Sequence, residues 1–244
     1  MSASPSIRVP KTPIPEVLYK YYPPERIEIF ETMQVRFSSP PELNDAFDSH
    51  YLVPNVQGAK GRTARRVWRS KIGILSLTER PDNHLMWVHY ARNHSGFVLG
   101  FDARAAFFEE NSRVLRKVVY QKGPNVLSEA DIDVCFNKAD DWEYEQEWRC
   151  VRLFEHSESR MIDIEPNLVA QIIFGSRMEP WQLTKIVWCA TQLEMIPRVR
   201  FLRSLPSKTS WTMENQPQAL SLCPHCDGDG VVWTEQQPLK ANKN

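Results

Sequence analysis

Short apolar segments, each bounded by charged, proline or turn residues, place the strongest constraint on the fold of this chain. Segments rich in β-branched and aromatic residues predict strands, and segments with apolar residues three and four apart predict helices. The two kinds interleave without a regular strand–helix–strand repeat, so we predict an α+β fold: a mixed, largely antiparallel sheet with packed helices and a single core. Predicted strands cover residues 17–22, 35–38, 72–78, 97–101, 118–120, 147–154, 171–174 and 199–202, and predicted helices cover 26–33, 84–92, 127–138 and 180–189.

The chain divides into three parts by composition. Residues 1–15 contain four prolines and few apolar side chains, which predicts a flexible N-terminal arm. Residues 16–206 carry the predicted strands and helices, and the chain of 244 residues is near the upper limit of what one core serves. Residues 207–244 are polar, and we predict a loop-like tail that contains one cysteine pair.

The overall charge excludes a global field that would steer the protein to nucleic acid or to a membrane, because 30 basic residues balance 30 acidic ones. No apolar stretch approaches the roughly 18 residues of a membrane span, and residues 1–15 lack an apolar signal core. We therefore predict a cytoplasmic protein that does not enter the membrane. Cys135, Cys150 and Cys189 stand singly among apolar residues and are predicted to be small buried hydrophobes.

Aromatic and histidine side chains concentrate in residues 86–101. On a helix, Trp87, Tyr90 and His94 are three and four positions apart and share one face, while His89 lies on the neighbouring face. Such a face can stack on a planar ring and hydrogen-bond to it. The same spacing is also typical of core packing, and the sequence leaves both interpretations open.

Acidic and aromatic residues alternate in residues 141–149. If this segment is extended, Glu143, Glu145 and Glu147 share one face. Their repulsion must then be compensated by water, Arg149, the basic stretch at residues 60–71 or a ligand. Neighbouring carboxylates can divide acid and base roles because their repulsion separates their pKa values. A solvated edge strand is the alternative.

Two further segments are candidates for ligand or nucleic-acid contacts. Asn44 and Asp45 lie in a turn after a predicted strand, where they cap the backbone or bind a ligand. Residues 60–71 contain six basic side chains around an aromatic one, a composition that suits phosphates and stacked bases and also a solvated helix face. The nucleic-acid candidates are Arg62, Arg65, Arg66, Trp68 and Arg69.

Cys223 and Cys226 form a CxxCxGxG motif at residues 223–230. Two thiolates at this spacing can hold one Zn²⁺, but a structural zinc needs four ligands and the sequence has no second CxxC pair. His225, Cys189 or a second chain would have to complete the site. A reduced loop pair is the alternative.

Several of these motifs together resemble a bacterial and phage family known as domain of unknown function twenty-nine seventy-one. The resemblance covers residues 17–178, and its Met-Trp-x-His-Tyr and Tyr-Glu-x-Glu-Trp-Arg elements are distinctive in combination. Ala46 departs from the proline that this family usually has. The matching residues are Leu18–Tyr21, Arg36–Pro40, Asn44–Asp48, Leu75–Thr78, Met86–Tyr90, His94–Phe97, Phe101, Lys138, Trp142, Tyr144, Glu145, Glu147–Arg149 and Ile173–Gly175.

The order of these elements is similar, as a remote analogy, to the layout of ADP-ribosyltransferases. That similarity implies NAD as the substrate, Glu147 as the catalytic carboxylate beside Glu145, and a macromolecular acceptor. Tyr19, Tyr21 and Tyr90 would stack on the nicotinamide ring, and Lys20, Ser38 or Ser39 would contact the dinucleotide. A nucleic-acid-associated module and a non-catalytic small-ligand protein remain as alternatives. Convergence of Glu147, Tyr90 and Tyr19 on one pocket would favour an enzyme or a ligand site.

Overall fold

The computed structural model describes residues 12–48, 51–52, 69–123, 125–126, 132–222 and 231–235. Its helices are α1 (Ile29–Thr32), α2 (His84–Tyr90), α3 (Ala106–Glu109) and α4 (Pro180–Gln192), with 3-10 helices at Pro24–Glu28, Pro40–Glu42, Ile132–Phe136, Asp140–Glu145 and Pro166–Leu168. Its strands are β1 (Val17–Tyr22), β2 (Gln34–Arg36), β3 (Tyr51–Leu52), β4 (Ile72–Thr78), β5 (Phe97–Asp102), β6 (Arg113–Lys117), β7 (Val119–Gln121), β8 (Asn125–Val126), β9 (Asn137–Ala139), β10 (Glu147–Leu153), β11 (Met161–Asp163), β12 (Val169–Phe174), β13 (Arg200–Pro206), β14 (Met213–Leu222) and β15 (Val231–Glu235).

Within the described ranges, nine strands form one large sheet in the order β15-β14-β13-β12-β5-β1-β4-β10-β6. Its neighbours are antiparallel except for β12 and β13, which run parallel. Three two-stranded pairs, β11-β2, β3-β8 and β7-β9, accompany it. The prediction of an α+β fold with a mixed, largely antiparallel sheet is therefore confirmed.

The large sheet opens into a gap between β1 and β4. These strands are in register at a single pair, Tyr19 opposite Thr78, whereas β4 and β10 pair along their whole length. Further along β4, Ser38 pairs with the edge that β1 leaves free. Its N–H donates to the Ile74 carbonyl at 2.9 Å, and its carbonyl accepts from the Ile74 N–H at 2.8 Å. Because residues two apart on a strand face the same neighbour, the main chain of Ser76 lies between these two pairings and faces the gap.

The two faces of the sheet differ in what covers them. The larger apolar cluster lies on one face, where Phe30 of α1 and Ile186 of α4 pack with sheet residues such as Trp148. The opposite face has two smaller clusters, one around Trp87 of α2 and one around Phe136. Tyr19, Thr78 and Glu147 lie opposite one another in paired strands, so they share this second face, and Glu147 stands between the two smaller clusters.

Helix α2 begins and ends at well-defined residues. The Asn83 side chain caps its start by accepting from the N–H groups of Leu85 at 2.9 Å and Met86 at 3.4 Å. The Asn83 amide also donates to the Tyr144 carbonyl at 2.9 Å, which ties the helix to the segment before β10. The helix ends at Tyr90 rather than at the predicted residue 92, because the backbone at residues 92–94 adopts left-handed angles.

Three other predictions from local pattern differ from the structure. In place of a helix at 127–138, the described part of this segment is the 3-10 helix Ile132–Phe136 followed by β9, because Lys138 pairs with Tyr120 in a strand ladder. The predicted helix at 26–33 is divided into Pro24–Glu28 and α1, with a non-helical backbone at Arg26. Beyond residue 206 the polar sequence predicted loops, yet β14 extends the sheet by main-chain pairing with β13. Among the described helices, none is long and apolar enough to cross a membrane.

Candidate functional site

A cavity of about 230 Å³ lies at the gap between β1 and β4. It collects side chains from β1, β4, β10, α2, β9 and the segment that follows β2. Nine of its residues were candidates from the sequence: Tyr19, Lys20, Tyr21, Ser38, Asn44, Tyr90, Glu145, Glu147 and Arg149. The remaining lining residues are Glu42, Leu43, Asp48, Ile74, Ser76, Leu77, Thr78, Met86 and Lys138.

Arg149 organises the carboxylates of this site. Its side chain is 1% exposed, and all five N–H donors of a guanidinium are engaged. Nε and Nη2 donate to Glu147 at 2.8 and 3.0 Å, while Nη1 and Nη2 donate to Asp48 at 2.7 and 2.6 Å. The fifth donor reaches the Cys135 carbonyl at 2.7 Å. With no donor left for a ligand, Arg149 acts as a scaffold that orients Glu147 and Asp48.

Glu147 is an ionised carboxylate in a buried setting. Burial by itself would raise its pKa, but Arg149 and Lys138 outweigh that effect and hold the pKa well below its ordinary value of 4.5. A hydrogen bond from the Ser76 side chain acts in the same direction. Both carboxylate oxygens are therefore fixed by cations, and the group keeps its charge beside the cavity.

Lys138 bridges the two glutamates of the site. Its Nζ lies 2.5 Å from Glu145 Oε2 and 3.1 Å from Glu147 Oε2, and it lies over the Trp142 ring, 4.8 Å from the centroid. Burial lowers the pKa of Lys138, but Glu147 and Glu145 raise it above the ordinary value. This shared cation allows two like charges to lie close together in a buried place.

Glu145 has the opposite titration behaviour to Glu147. Burial raises its pKa, and the nearby charge of Glu147 adds to that effect, so the pKa stays raised although Lys138 lowers it. Its Oε1 accepts from the Tyr90 hydroxyl at 2.6 Å, and that hydroxyl accepts from the Asn44 amide at 2.8 Å. Burial and Glu145 together raise the pKa of Tyr90. The site thus holds one firmly ionised carboxylate and one that binds a proton more readily.

The conformation of the segment before β10 differs from the one that the sequence pattern predicted. Residues 141–145 are not extended: they belong to the 3-10 helix Asp140–Glu145, and Gln146 follows with a left-handed φ of 43°. The expected common face of three carboxylates is therefore wrong, because Glu143 is exposed while Glu145 and Glu147 are buried. The Thr78 hydroxyl donates to the Glu145 carbonyl at 2.5 Å and holds this turn against β4.

β1 contributes the opposite wall of the cavity. The Tyr19 hydroxyl donates weakly to Gln171 Oε1 at 3.4 Å, and the Tyr21 hydroxyl donates to the Arg80 carbonyl at 2.7 Å. Burial raises the pKa of both phenols. Both hydroxyls are therefore tethered to groups outside the lining, and the rings are held in place as aromatic walls.

Several sequence candidates lie outside the cavity lining, Ser39 among them. Trp87 is a core residue: it is fully buried, its indole N–H donates to the Pro81 carbonyl at 3.1 Å, and its ring stacks on His94 at 6.0 Å. His94 follows the helix, and burial followed by the charge of Arg177 lowers its pKa. His89 is exposed. Asp45 makes a local turn by accepting from the Phe47 N–H at 2.9 Å. The expected common face of Trp87, Tyr90 and His94 is wrong because the helix ends at Tyr90.

The basic and cysteine motifs fall mostly outside the described residues. Arg62, Arg65, Arg66 and Trp68 lie there, as do Cys223 and Cys226, so nucleic-acid binding and zinc binding at these motifs stay predictions. Arg69 is described, and its guanidinium donates to the Asp48 carbonyl at 3.3 Å. Among the described residues, no group of three or more His, Cys, Asp and Glu side chains could hold a metal ion.

Asp48, Lys138, Ser76 and Thr78 are site residues that the sequence did not single out as such. All four belong to the motifs of the family resemblance, which is the signal that would have found them. Ser76 and Thr78 lie in a strand whose apolar run gives no local hint of a site. Their place in the lining follows from the pairing of β4 with β1 and β10.

Fold and site define an α+β protein with a gap in its sheet and a buried carboxylate–cation cluster beside that gap. The sequence model of a family described as "Protein of unknown function (DUF2971)" matches residues 86–150. This confirms the family resemblance over a segment that contains Tyr90, Lys138, Glu145, Glu147 and Arg149. No curated protein and no solved structure matches the chain.

Proposed function

We propose that this protein cleaves the N-glycosidic bond of NAD and transfers the ADP-ribosyl group to an acceptor. The observation that carries the proposal is Glu147, an ionised carboxylate held by Arg149 and Lys138 beside a cavity with tyrosine walls. A sugar that loses its leaving group develops positive charge, and a fixed carboxylate stabilises that charge more in the transition state than in the ground state.

The reaction balances with groups that line the cavity. The bond between ribose C1′ and the nicotinamide nitrogen breaks, and its electron pair leaves with nicotinamide, which becomes neutral. A lone pair of the acceptor forms the new bond to C1′, and the acceptor proton passes through the Tyr90 hydroxyl to Glu145. Glu145 suits this role because its pKa is raised, whereas Glu147 remains charged.

The size of the cavity supports binding of one end of a dinucleotide. Its volume of about 230 Å³ is below the roughly 300–1,000 Å³ typical of sites for drug-sized ligands. A nicotinamide ring with its ribose would occupy it, and the adenosine part would lie outside. The rings of Tyr19, Tyr21 and Tyr90 supply aromatic surfaces for the nicotinamide ring.

Incubation with NAD labelled in the adenylate phosphate tests the proposal, with chromatography for free nicotinamide. Protein, nucleic acid and water are offered as acceptors to the wild type, Glu147→Gln and Glu143→Gln. Glu143 is the matched control because it belongs to the adjoining 3-10 helix and is exposed. The wild type and the control should release nicotinamide, and Glu147→Gln should be slower by about a hundredfold or more.

Two results would contradict the proposal. One is a wild type that neither transfers label nor releases nicotinamide with any acceptor. The other is equal rates for Glu147→Gln and wild type. Binding of NAD without release of nicotinamide would instead favour a non-catalytic ligand-binding protein that uses the same cavity.

A further inference from the structure

Lys20 differs from the other two cationic side chains that line the cavity. Lys138 and Arg149 direct their donors to carboxylates. The ammonium of Lys20 makes no ion pair with any described residue, and its hydrogen bond there is to the Ser76 carbonyl at 3.2 Å. An ammonium has three N–H donors, so two of them lack a protein acceptor in the described part of the chain.

The position of Lys20 explains why this charge is left without a carboxylate. Its side chain reaches across the gap from β1 to the edge of β4, between the points where Tyr19 and Ser38 pair with that edge. The groups that face its ammonium are the Tyr22 ring on its own strand, 5.7 Å away, Ser76 on β4, Glu147 on β10 and Arg26 on the 3-10 helix. Burial lowers the pKa of Lys20 to about 8, Glu147 raises it and Arg26 lowers it.

We propose that Lys20 binds a phosphate group of the ligand. The identity of the sugar that carries this phosphate rests on the proposed function. Lys20 is partly buried, and an ammonium that is shielded from water and has no ion-pair partner is unfavourable, so an anionic ligand group reduces that cost. Charge-assisted hydrogen bonds from the unused donors to phosphate oxygens then add binding energy.

The nearby carboxylates do not oppose a phosphate at this place. The negative charge of Glu147 is balanced by Arg149 and Lys138, which contact both of its oxygens. The cavity therefore offers, among the described residues, a cation without an ion-pair partner on the β1 side and a carboxylate held by two cations on the β10 side. A ligand with a phosphate at one end and a sugar that develops positive charge at the other matches this arrangement.

A matched pair of ligands tests the subsite. Nicotinamide mononucleotide and nicotinamide riboside differ by one phosphate, and calorimetric titration in the cold, with chromatography to verify that both stay intact, gives their dissociation constants. The wild type should bind the phosphorylated ligand roughly ten- to a hundredfold more tightly. Lys20→Met should lose that preference, and Lys20→Arg should keep most of it because the charge remains. Lys185→Met is the control, since Lys185 pairs with Glu31 and does not line the cavity.

The pH dependence separates a direct contact from a general effect on the fold. Because the pKa of Lys20 is about 8, the preference of the wild type for the phosphorylated ligand should weaken as the pH rises above that value. Lys20→Arg should show a flat profile, because a guanidinium stays protonated. A thermal unfolding transition for each variant establishes that the chain is folded.

The outcomes for the subsite and for the reaction are distinct. A wild type with no preference for the mononucleotide, including one that binds neither ligand, overturns the subsite, and so does a preference that survives in folded Lys20→Met. Cleavage of NAD without a Lys20-dependent preference leaves the proposed function and removes the subsite. A Lys20-dependent preference without cleavage supports the subsite and removes the reaction.

Discussion

Arg149 and Asp48 face each other through two parallel hydrogen bonds, from Nη1 to Oδ1 at 2.7 Å and from Nη2 to Oδ2 at 2.6 Å. Both side chains are 1% exposed. Asp48 lies in the segment after β2, and Arg149 lies in β10, so the pair joins two distant parts of the chain at the cavity. In the same segment, Asn44 contacts Tyr90. The buried ion pair and the hydrogen bond from Asn44 thus hold this segment against the cavity.

Removal of Asp48 should destabilise the fold. In Asp48→Ala the guanidinium of Arg149 stays buried with Glu147 as its remaining carboxylate partner, and breaking a buried ion pair from one side costs about 3–5 kcal/mol. Urea denaturation measures the free energy of unfolding. Glu16→Ala is the control, because Glu16 pairs with Arg104 at the surface and such a pair contributes about 0–1 kcal/mol. Similar decreases in the two variants would contradict this account.

Glu147 should make stability depend on pH in the acid range. Its pKa in the folded protein lies below the ordinary 4.5, so the charged carboxylate stabilises the fold above about pH 4.5. That contribution is lost as the pH falls from there through the folded-state pKa. The difference in free energy of unfolding between wild type and Glu147→Gln should therefore shrink as the pH falls from about 6 towards about 3, which covers the upper part of that transition. Urea denaturation at each pH measures it, with Glu143→Gln as the exposed control. A difference that stays constant or grows would refute the assignment.

Tyr90→Phe should raise the pKa of Glu145 further. The Tyr90 hydroxyl donates to Glu145, which favours the charged form of that carboxylate and lowers its pKa. Without this hydrogen bond, burial and the charge of Glu147 raise the pKa of Glu145 with less opposition. Titration of the Glu145 carboxyl carbon by NMR measures the change. Tyr144→Phe is the comparison, since Tyr144 lies nearby but no hydrogen bond joins its hydroxyl to Glu145 among the described residues. An unchanged or lowered pKa in Tyr90→Phe would show that this hydrogen bond does not matter.

Gly175→Ala should destabilise the turn after β12. A Cβ at this position would lie 2.1 Å from the His94 carbonyl oxygen and 2.8 Å from that of Gly96. Both contacts are with backbone, which cannot rotate away as a side chain does, so overpacking should cost about 1–3 kcal/mol. Gly123→Ala is the matched control, because nothing lies within 4 Å of a Cβ there. Thermal unfolding of the two variants gives their midpoint temperatures. Equal midpoint temperatures would contradict the prediction and show that the backbone at His94 shifts to accommodate the added methyl group at little cost.

The predicted bounds agree best with the structure for segments whose conformation depends mainly on their own residues. β1 and β4 have the predicted bounds, and β10 ends one residue earlier than predicted. Their composition suits an extended, buried backbone wherever it pairs. The prediction for residues 141–145 was wrong because an alternating pattern also fits a 3-10 turn that the Thr78 hydroxyl and the Asn83 amide hold.

The candidate site shows the same division. Glu145, Glu147 and Tyr90 stand out in the sequence because acidic and aromatic groups cluster there, and all three line the cavity. The sequence by itself thus determined which segments carry the chemistry and which class of fold contains them. Only the tertiary structure decided that Lys138 bridges the glutamates, that Asp48 completes Arg149, and that β1 and β4 separate after one pair. The physical reason is that strand pairing and buried charge compensation join residues far apart in the chain, whereas local periodicity specifies only each segment.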